Sequence, residues 1–168
     1  MATTVVIVED QALVRAGMLR LLHGQRGISV IGELSSGLEA VARVPELQPD
    51  VVLMDLSMPG MSGVEATRAL LSDLPGLKVI AVSSHSSERW MRRALDAGAR
   101  GYVTKDADAG ALADAIRHVR AGKIYLCPRL TSSWPLGEAP VDPLSRLSPK
   151  QRVVMQMIAE GKTSRQIA

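Results

Sequence analysis

Val51-Val52-Leu53-Met54-Asp55-Leu56-Ser57-Met58-Pro59-Gly60 is an apolar run that stops at a carboxylate and gives way to a Pro-Gly loop. An unbroken run of Val, Leu and Met reads as a strand buried on both faces, the kind that parallel sheets contain. In open α/β sheets, ligands bind beyond the carboxyl ends of the strands. Asp55 is therefore placed for chemistry. Three other apolar runs end in the same way. Val5-Val6-Ile7-Val8 leads into Glu9-Asp10, Val79-Ile80-Ala81-Val82 into Ser83-Ser84, and Gly101-Tyr102-Val103 through Thr104 into Lys105. Three acids, a hydroxyl and a lysine at strand ends would converge on one edge of a sheet.

Outward from that stretch, strands and helices alternate through residue 123. The strand-like runs are Thr4–Val8, Ser29–Leu34, Val51–Asp55, Lys78–Val82 and Gly101–Val103. Helical patterns cover Gln11–Leu22, Gly37–Leu47, Ser62–Leu74, Ser86–Ala97 and Asp108–Ala121. Val14, Met18, Leu21 and Leu22 form one helical stripe, and Leu112, Ala115, Ile116 and Val119 another. Ser62 with Glu65 three residues on is a capping box, and Ser86 or Ser87 is placed to cap the next helix. Gly98 and Gly122 stand as C-terminal stops. Repeated strand–helix units imply a parallel sheet covered on both faces.

From Ile124 to Arg146 the pattern dissolves, with Pro128, Pro135, Pro140 and Pro143 breaking any helix, and the stretch reads as a linker that carries Trp134. Leu147-Ser148-Pro149 opens a further helix, with Ser148 as cap, Pro149 at the first helical position and Val153, Val154, Met157 and Ile158 as its apolar stripe. Gly161 ends it. The chain reaches Ala168 just after Thr163 and Ser164 begin another helix.

The 168 residues suffice for one full domain and a fragment. Phe is absent, so the core must be aliphatic. A single cysteine, Cys127, excludes an intrachain disulfide and reads as an inert linker thiol. The apolar runs are short and broken by charges, which points away from membrane spans and signal peptides and toward a reduced, cytoplasmic setting. Residues 1–123 hold 14 Lys/Arg against 14 Asp/Glu, whereas residues 124–168 hold 6 against 3. The basic excess in the tail hints at a module that faces nucleic acid.

Glu9, Asp10 and Asp55 would crowd one another. Two like charges about 4 Å apart repel by roughly 4 kcal/mol at an effective dielectric of about 20. Such a cluster needs a cation or a raised pKa. Mg²⁺ is the natural partner, being hard, octahedral and typically held by one or two carboxylates with waters and phosphate oxygens. Asp55 can then act as nucleophile toward a phosphoryl group. Lys105 and the metal would neutralise charge on the transferred group, and Ser83 would donate a hydrogen bond to one of its oxygens.

With Glu9-Asp10, the loop Asp55-Leu-Ser-Met-Pro-Gly-Met-Ser-Gly63, Ser83, and Gly101-Tyr-Val-Thr-Lys-Asp106 in order and spacing, residues 3–123 resemble a response-regulator receiver domain. The resemblance implies a flavodoxin-like (CheY-like) fold, a five-stranded parallel sheet with helices on both faces. It implies that a sensor histidine kinase phosphorylates Asp55. It also implies that Asp10, Asp55 and the Ser57 carbonyl hold Mg²⁺, with Glu9 helping through water. Ser83 and Tyr102 fall at the family's switch positions: phosphorylation would draw Ser83 toward the phosphate and turn Tyr102 inward. Asp106, where many receivers have Pro, resembles the NarL/FixJ branch. Residues 147–168 resemble the opening of a LuxR-type helix-turn-helix, ending before the recognition helix.

The reading is a receiver at 1–123, a linker at 124–146 and a helix-turn-helix fragment at 147–168. It is a two-component response regulator, homodimeric when phosphorylated, that controls transcription in its intact form. It is not an enzyme beyond phosphorylation and dephosphorylation of its own Asp55. One rival is a stand-alone receiver acting through protein contacts. Another is an aspartyl-phosphate phosphohydrolase, a chemistry that wants a carboxylate two residues after the nucleophile, where Ser57 stands. Ser84 and His85 read as plain loop residues, Arg89, Arg92, Arg93 and Arg100 as a solvated helix face, and His23 and His118 as solvated or helix-end residues. Base readout resides in a recognition helix, and Lys150, Arg152, Lys162 and Arg165 supply only phosphate contacts. A mobility-shift assay with specific and scrambled promoter fragments at about 0.15 M salt should show no sequence preference for this chain.

Overall fold

In a computed structural model, which describes residues 1–131, the chain alternates strand and helix as the sequence pattern requires. The strands are β1 Thr3–Val8, β2 Ile28–Leu34, β3 Val51–Asp55, β4 Lys78–Ser83, β5 Gly101–Thr104 and β6 Tyr125–Leu126. The helices are α1 Ala12–Leu22, α2 Gly37–Leu47, α3 Gly63–Asp73, α4 Glu88–Asp96, α5 Ala109–Arg120 and the single turn α6 Pro128–Thr131. The strands form one sheet in the order β2-β1-β3-β4-β5-β6, every pairing parallel. Among the described residues no helix is long and apolar enough to cross a membrane.

The period of two along the strands divides the core. Val5, Ile7, Val51, Leu53, Ile80, Val82 and Val103 point to one face, where Met18 and Leu22 of α1 and Leu112, Ile116 and Val119 of α5 cover them. Val6, Val8, Val52, Met54 and Val79 point to the other, under Ala40 and Val44 of α2 and Ala66 and Leu70 of α3. Ala81 and Tyr102 on that second face meet Met91, Ala94 and Leu95 of α4. All five residues of β3 are fully buried, as a central strand covered on both faces must be. Each Val, Leu, Ile or Met side chain so buried contributes about 1.5–3 kcal/mol.

Local signals set the helix ends. Ser62 accepts from the Glu65 amide while the Glu65 carboxylate accepts from Ser62, so the expected capping box is formed. Ser36 and Asp108 cap α2 and α5 in the simpler one-way manner. Ser87 precedes α4 without a side-chain cap, and that helix starts two residues later than its pattern suggested. Gly98 and Gly122 take positive φ, as C-terminal stops do.

Two expectations need correction. Leu21 is not a core residue of α1: it is exposed, and the buried positions are Met18 and Leu22. The sheet has six strands rather than five, because the stretch read as linker begins as structure. Tyr125 N–H donates to the Arg100 carbonyl and Cys127 N–H to the Tyr102 carbonyl, each at 3.0 Å. Cys127 and Leu130 are buried against Tyr102 and Met91. The linker beyond these residues, Trp134 and the helical pattern at 147–168 lie outside the described residues.

At the sheet's amino-terminal edge, Asp50 ties three elements together. Its carboxylate accepts from Thr4 N–H at 2.8 Å and from the Thr4 hydroxyl at 3.1 Å, and its own N–H donates to Thr4 Oγ1 at 2.9 Å. Arg120, at the end of α5, lies 3.3 Å from the same carboxylate. The Thr4 amide first, then the Thr4 hydroxyl and Arg120, hold Asp50 below the ordinary carboxylate value despite some burial. A lowered folded-state pKa contributes stability above the ordinary value, 3.8, that is lost as pH falls through and below it. Asp50→Ala should therefore cost about 1–3 kcal/mol in denaturant unfolding at about pH 7. The gap to wild type should shrink by about pH 3; an undiminished gap there would contradict this account.

Candidate functional site

The parallel register delivers the chemistry-bearing side chains to one edge. Val8 pairs with Met54 and Asp55 with Val82, so Glu9, Asp55 and Ser83 leave the sheet side by side. Ser83 pairs with Thr104, which puts Lys105 just beyond. Glu9, Asp55 and Ser83 are fully buried, and the Lys105 side chain is 13% exposed.

Lys105 Nζ lies 2.8 Å from Glu9 Oε2 and 3.2 Å from Asp55 Oδ2. One oxygen of each carboxylate is met by a nearby amide: Gln11 N–H donates to Glu9 Oε1 and Ser57 N–H to Asp55 Oδ1, both at 3.1 Å. Glu9 Oε2 and Asp55 Oδ2 are met by the Lys105 ammonium, whereas the buried Asp10 Oδ1 has no hydrogen-bond partner among the described residues. Buried polar atoms are seldom left so. One carboxylate oxygen from each of Glu9, Asp10 and Asp55 can be chosen within 4.8 Å of the others. Three carboxylates around one ammonium leave a formal charge of −2, which a divalent cation would neutralise. Oxygen donors of this kind suit a hard ion such as Mg²⁺. The residues present thus fit the expected metal.

Burial drives the Glu9 pKa upward, and the neighbouring Asp55 adds to this against the opposing pull of Lys105 and the Gln11 amide. For Lys105 burial disfavours the charged form. Contacts with Glu9 and Asp55 outweigh it and raise its pKa above the usual lysine value, so the ammonium is held charged.

Three further features fix the geometry, and the sequence pattern singled out none of them. Arg15 Nη1 donates to the Glu9 carbonyl at 2.7 Å while its Nε faces Glu33 at 3.6 Å, pinning the acidic turn to β2. Gly63 begins α3 directly against the backbone of Asp55, and a Cβ there would fall 1.9 Å from the Asp55 carbonyl oxygen. Thr67 Oγ1, buried, donates to the Gly63 carbonyl at 2.7 Å. The only signal for Gly63 in the sequence was its place at the end of the Asp55 loop. Third, the loop after β4 is held at His85, whose N–H donates to Ser83 Oγ at 3.1 Å.

Tyr102 departs from expectation. Phosphorylation was expected to turn it inward, but the ring is already fully buried, and its hydroxyl donates to the His85 carbonyl at 2.6 Å. The ring belongs to a buried cluster with Leu56, Val64, Met91, Leu95 and Leu130. Burial raises the phenol pKa, with Ser83 hydrogen-bonding it in the opposite sense.

Residues 5–117 match the response regulator receiver domain family. The chain belongs to that family. The response regulator GacA of Pseudomonas viridiflava is 44% identical over 132 residues, covering 79% of this chain. The chain spans 62% of that relative's length. The DNA-binding transcriptional activator DevR/DosR of Mycobacterium tuberculosis is 39% identical over 168 residues, 98% of this chain and 77% of the relative. Among solved structures, a LuxR-family two-component response regulator from Aurantimonas sp. SI85-9A1 superposes with a TM-score of 0.75 at 32% identity, over 79% of this chain and 94% of that one. These relatives bear out the expected NarL/FixJ-type response regulator and the CheY-like receiver fold.

The Gly63 contact is directly testable. Gly63→Ala forces the helix start away from Asp55 and should cost about 1–3 kcal/mol or more, as overpacking does. The amide resonances of Asp55, Leu56 and Ser57 should shift with it; unmoved resonances would show that the loop does not depend on this contact.

Proposed function

We propose that this receiver accepts a phosphoryl group on Asp55 from a phosphohistidine of a sensor kinase. An Asp55 carboxylate oxygen attacks phosphorus, the P–N bond breaks, and its electron pair returns to the imidazole. The observation that carries this reading is the cluster of Glu9, Asp10 and Asp55 at adjacent strand ends, with Lys105 against Glu9 and Asp55 and the buried Asp10 Oδ1 left without a hydrogen-bond partner.

Asp10, Asp55 and the Ser57 carbonyl would hold Mg²⁺, with Glu9 contributing through water. When bound, the ion supplies Lewis-acid neutralisation of phosphoryl charge. Lys105 orients the carboxylate before transfer and pairs with a phosphoryl oxygen afterwards. The Ser83 hydroxyl donates to another. Phosphate adds about −1.5 to −2 charge and three acceptors, so the hydroxyl of Ser83 is drawn from Tyr102 toward Asp55. Tyr102 responds as a ring already inside, whose hold on the His85 carbonyl tightens. Hydrolysis of the acyl phosphate by water resets the site, making the self-directed phosphorylation and dephosphorylation of Asp55 its whole chemistry. The partners are a sensor histidine kinase and a second phosphorylated copy in a cytoplasmic setting. In the longer regulator, residues 147–168 open a LuxR-type helix-turn-helix that carries the response to DNA.

With a small phosphodonor and Mg²⁺, wild type should gain one phosphoryl group by intact-protein mass. Asp55→Asn should gain none. Asp10→Asn should lose the Mg²⁺ dependence and nearly all the product. Full modification of Asp55→Asn would place the acceptor elsewhere.

A further inference from the structure

His85 was read from the sequence as a plain loop residue, and its side chain is exposed. Its surroundings are nevertheless specific. The imidazole stacks on the Trp90 indole with ring centroids 4.8 Å apart and planes within 5°. The Arg93 guanidinium lies over the same indole, 5.0 Å from its centroid. Trp90 itself packs against the cluster that contains Tyr102 and Met91. The main chain of His85 is held at both ends: its N–H donates to Ser83 Oγ at 3.1 Å and its carbonyl accepts from the Tyr102 hydroxyl at 2.6 Å.

The consequence concerns one proton. A serine hydroxyl has one hydrogen and two acceptor lone pairs. Because Ser83 Oγ accepts from His85, that side of the oxygen is occupied, and its own hydrogen must point elsewhere. Facing it are the Tyr102 hydroxyl, whose pKa Ser83 pulls downward, and the neighbouring end of β3, where Asp55 pairs with Val82, the residue before Ser83. The His85 amide therefore keeps the Ser83 hydrogen off its own side and leaves it to face Tyr102 or the end of β3. The amide can do this only while the loop Ser84–Ser87 keeps its place. That loop has no side-chain helix cap at Ser87. The ring stack on Trp90 is its side-chain anchor to α4.

We propose that His85 is a positioning residue for the phosphoryl site. By stacking on Trp90 it holds its own amide on Ser83 and so aims the Ser83 hydroxyl at the group on Asp55. This rests on the reading of Asp55 as phosphoacceptor. The stack, rather than any imidazole acid–base chemistry, is the working part, so a phenyl ring serves as well.

The test uses the full chain, Mg²⁺ and beryllofluoride as the phosphoryl stand-in, with binding followed through amide resonances near Asp55. His85→Ala should weaken beryllofluoride binding about two- to twelve-fold, the range an aromatic stack contributes. His85→Phe should restore it. In a Ser83→Ala background, His85→Ala should have no further effect, because the hydroxyl it aims is gone. Wild-type binding by His85→Ala, equal weakness of His85→Phe, or full additivity with Ser83→Ala would each overturn the proposal. Failure of wild type to bind beryllofluoride, together with failure to be phosphorylated, would instead overturn the reading of Asp55 and this inference with it.

Discussion

The ammonium of Lys105, set between Glu9 and Asp55, is the interaction on which the site's arrangement depends. Without it, two buried carboxylates would face each other at the ends of adjacent strands, and folding would have to protonate one of them. The position of Lys105 makes demands on the whole sheet. Lysine leaves from β5, the acids from β3 and β1, and β4 lies between. The side chain must span the end of β4, where the residue is the small Ser83. The backbone agrees: Lys105 N–H donates to the Ser83 carbonyl at 2.9 Å, and Leu56 N–H to that of Val82 at 3.2 Å. A slip of one residue in either pairing would reverse which face each side chain meets and separate the charges. Electrostatics at the edge and aliphatic packing on both faces therefore select the same register.

Most of this was legible in the chain, for physical reasons that vary by element. β1, β3 and β4 are unbroken apolar runs because both their faces are covered. The acids were recognisable because they terminate such runs, and the Ser62–Glu65 box because its two hydrogen bonds need a fixed spacing. What escaped notice depends on contacts that periodicity does not encode. β6 is two residues long, too short to show any period, and owes its existence to the free edge of β5. Leu21 sits at the rim of its helical stripe, where a few degrees of rotation decide between core and solvent. The inward ring of Tyr102 reflects the volume left by Met91 and Leu95 of α4 and Leu130 of α6, a sum over two elements far apart in sequence. Gly63 looked like one more loop glycine until the Asp55 carbonyl was found pressed against it.

The buried site also explains the division of labour between rigid and adaptable parts. Asp55 is clamped from below by α3, whose first residue allows no side chain. Glu9 is clamped by Arg15 from α1. Ser83, by contrast, is bounded by a loop of exposed residues that ends in an uncapped helix. Local stability is lowest where backbone groups lack such partners. The acid side of the site is built to stay, and the hydroxyl side to respond.

The short strand β6 has a mechanical consequence. Residues 125–127 leave α5 not as a slack tether but as a strand bonded through its main chain to Arg100 and Tyr102. One of the two main-chain bonds is made to Tyr102, the residue whose ring fills the buried cluster beside α4. A receiver excised at Lys123 would lose Cys127 and Leu130 from the shell around that ring and leave the β5 edge bare. The edge of β5 is thus completed by hydrogen bonds from a stretch whose composition gave no sign of a strand.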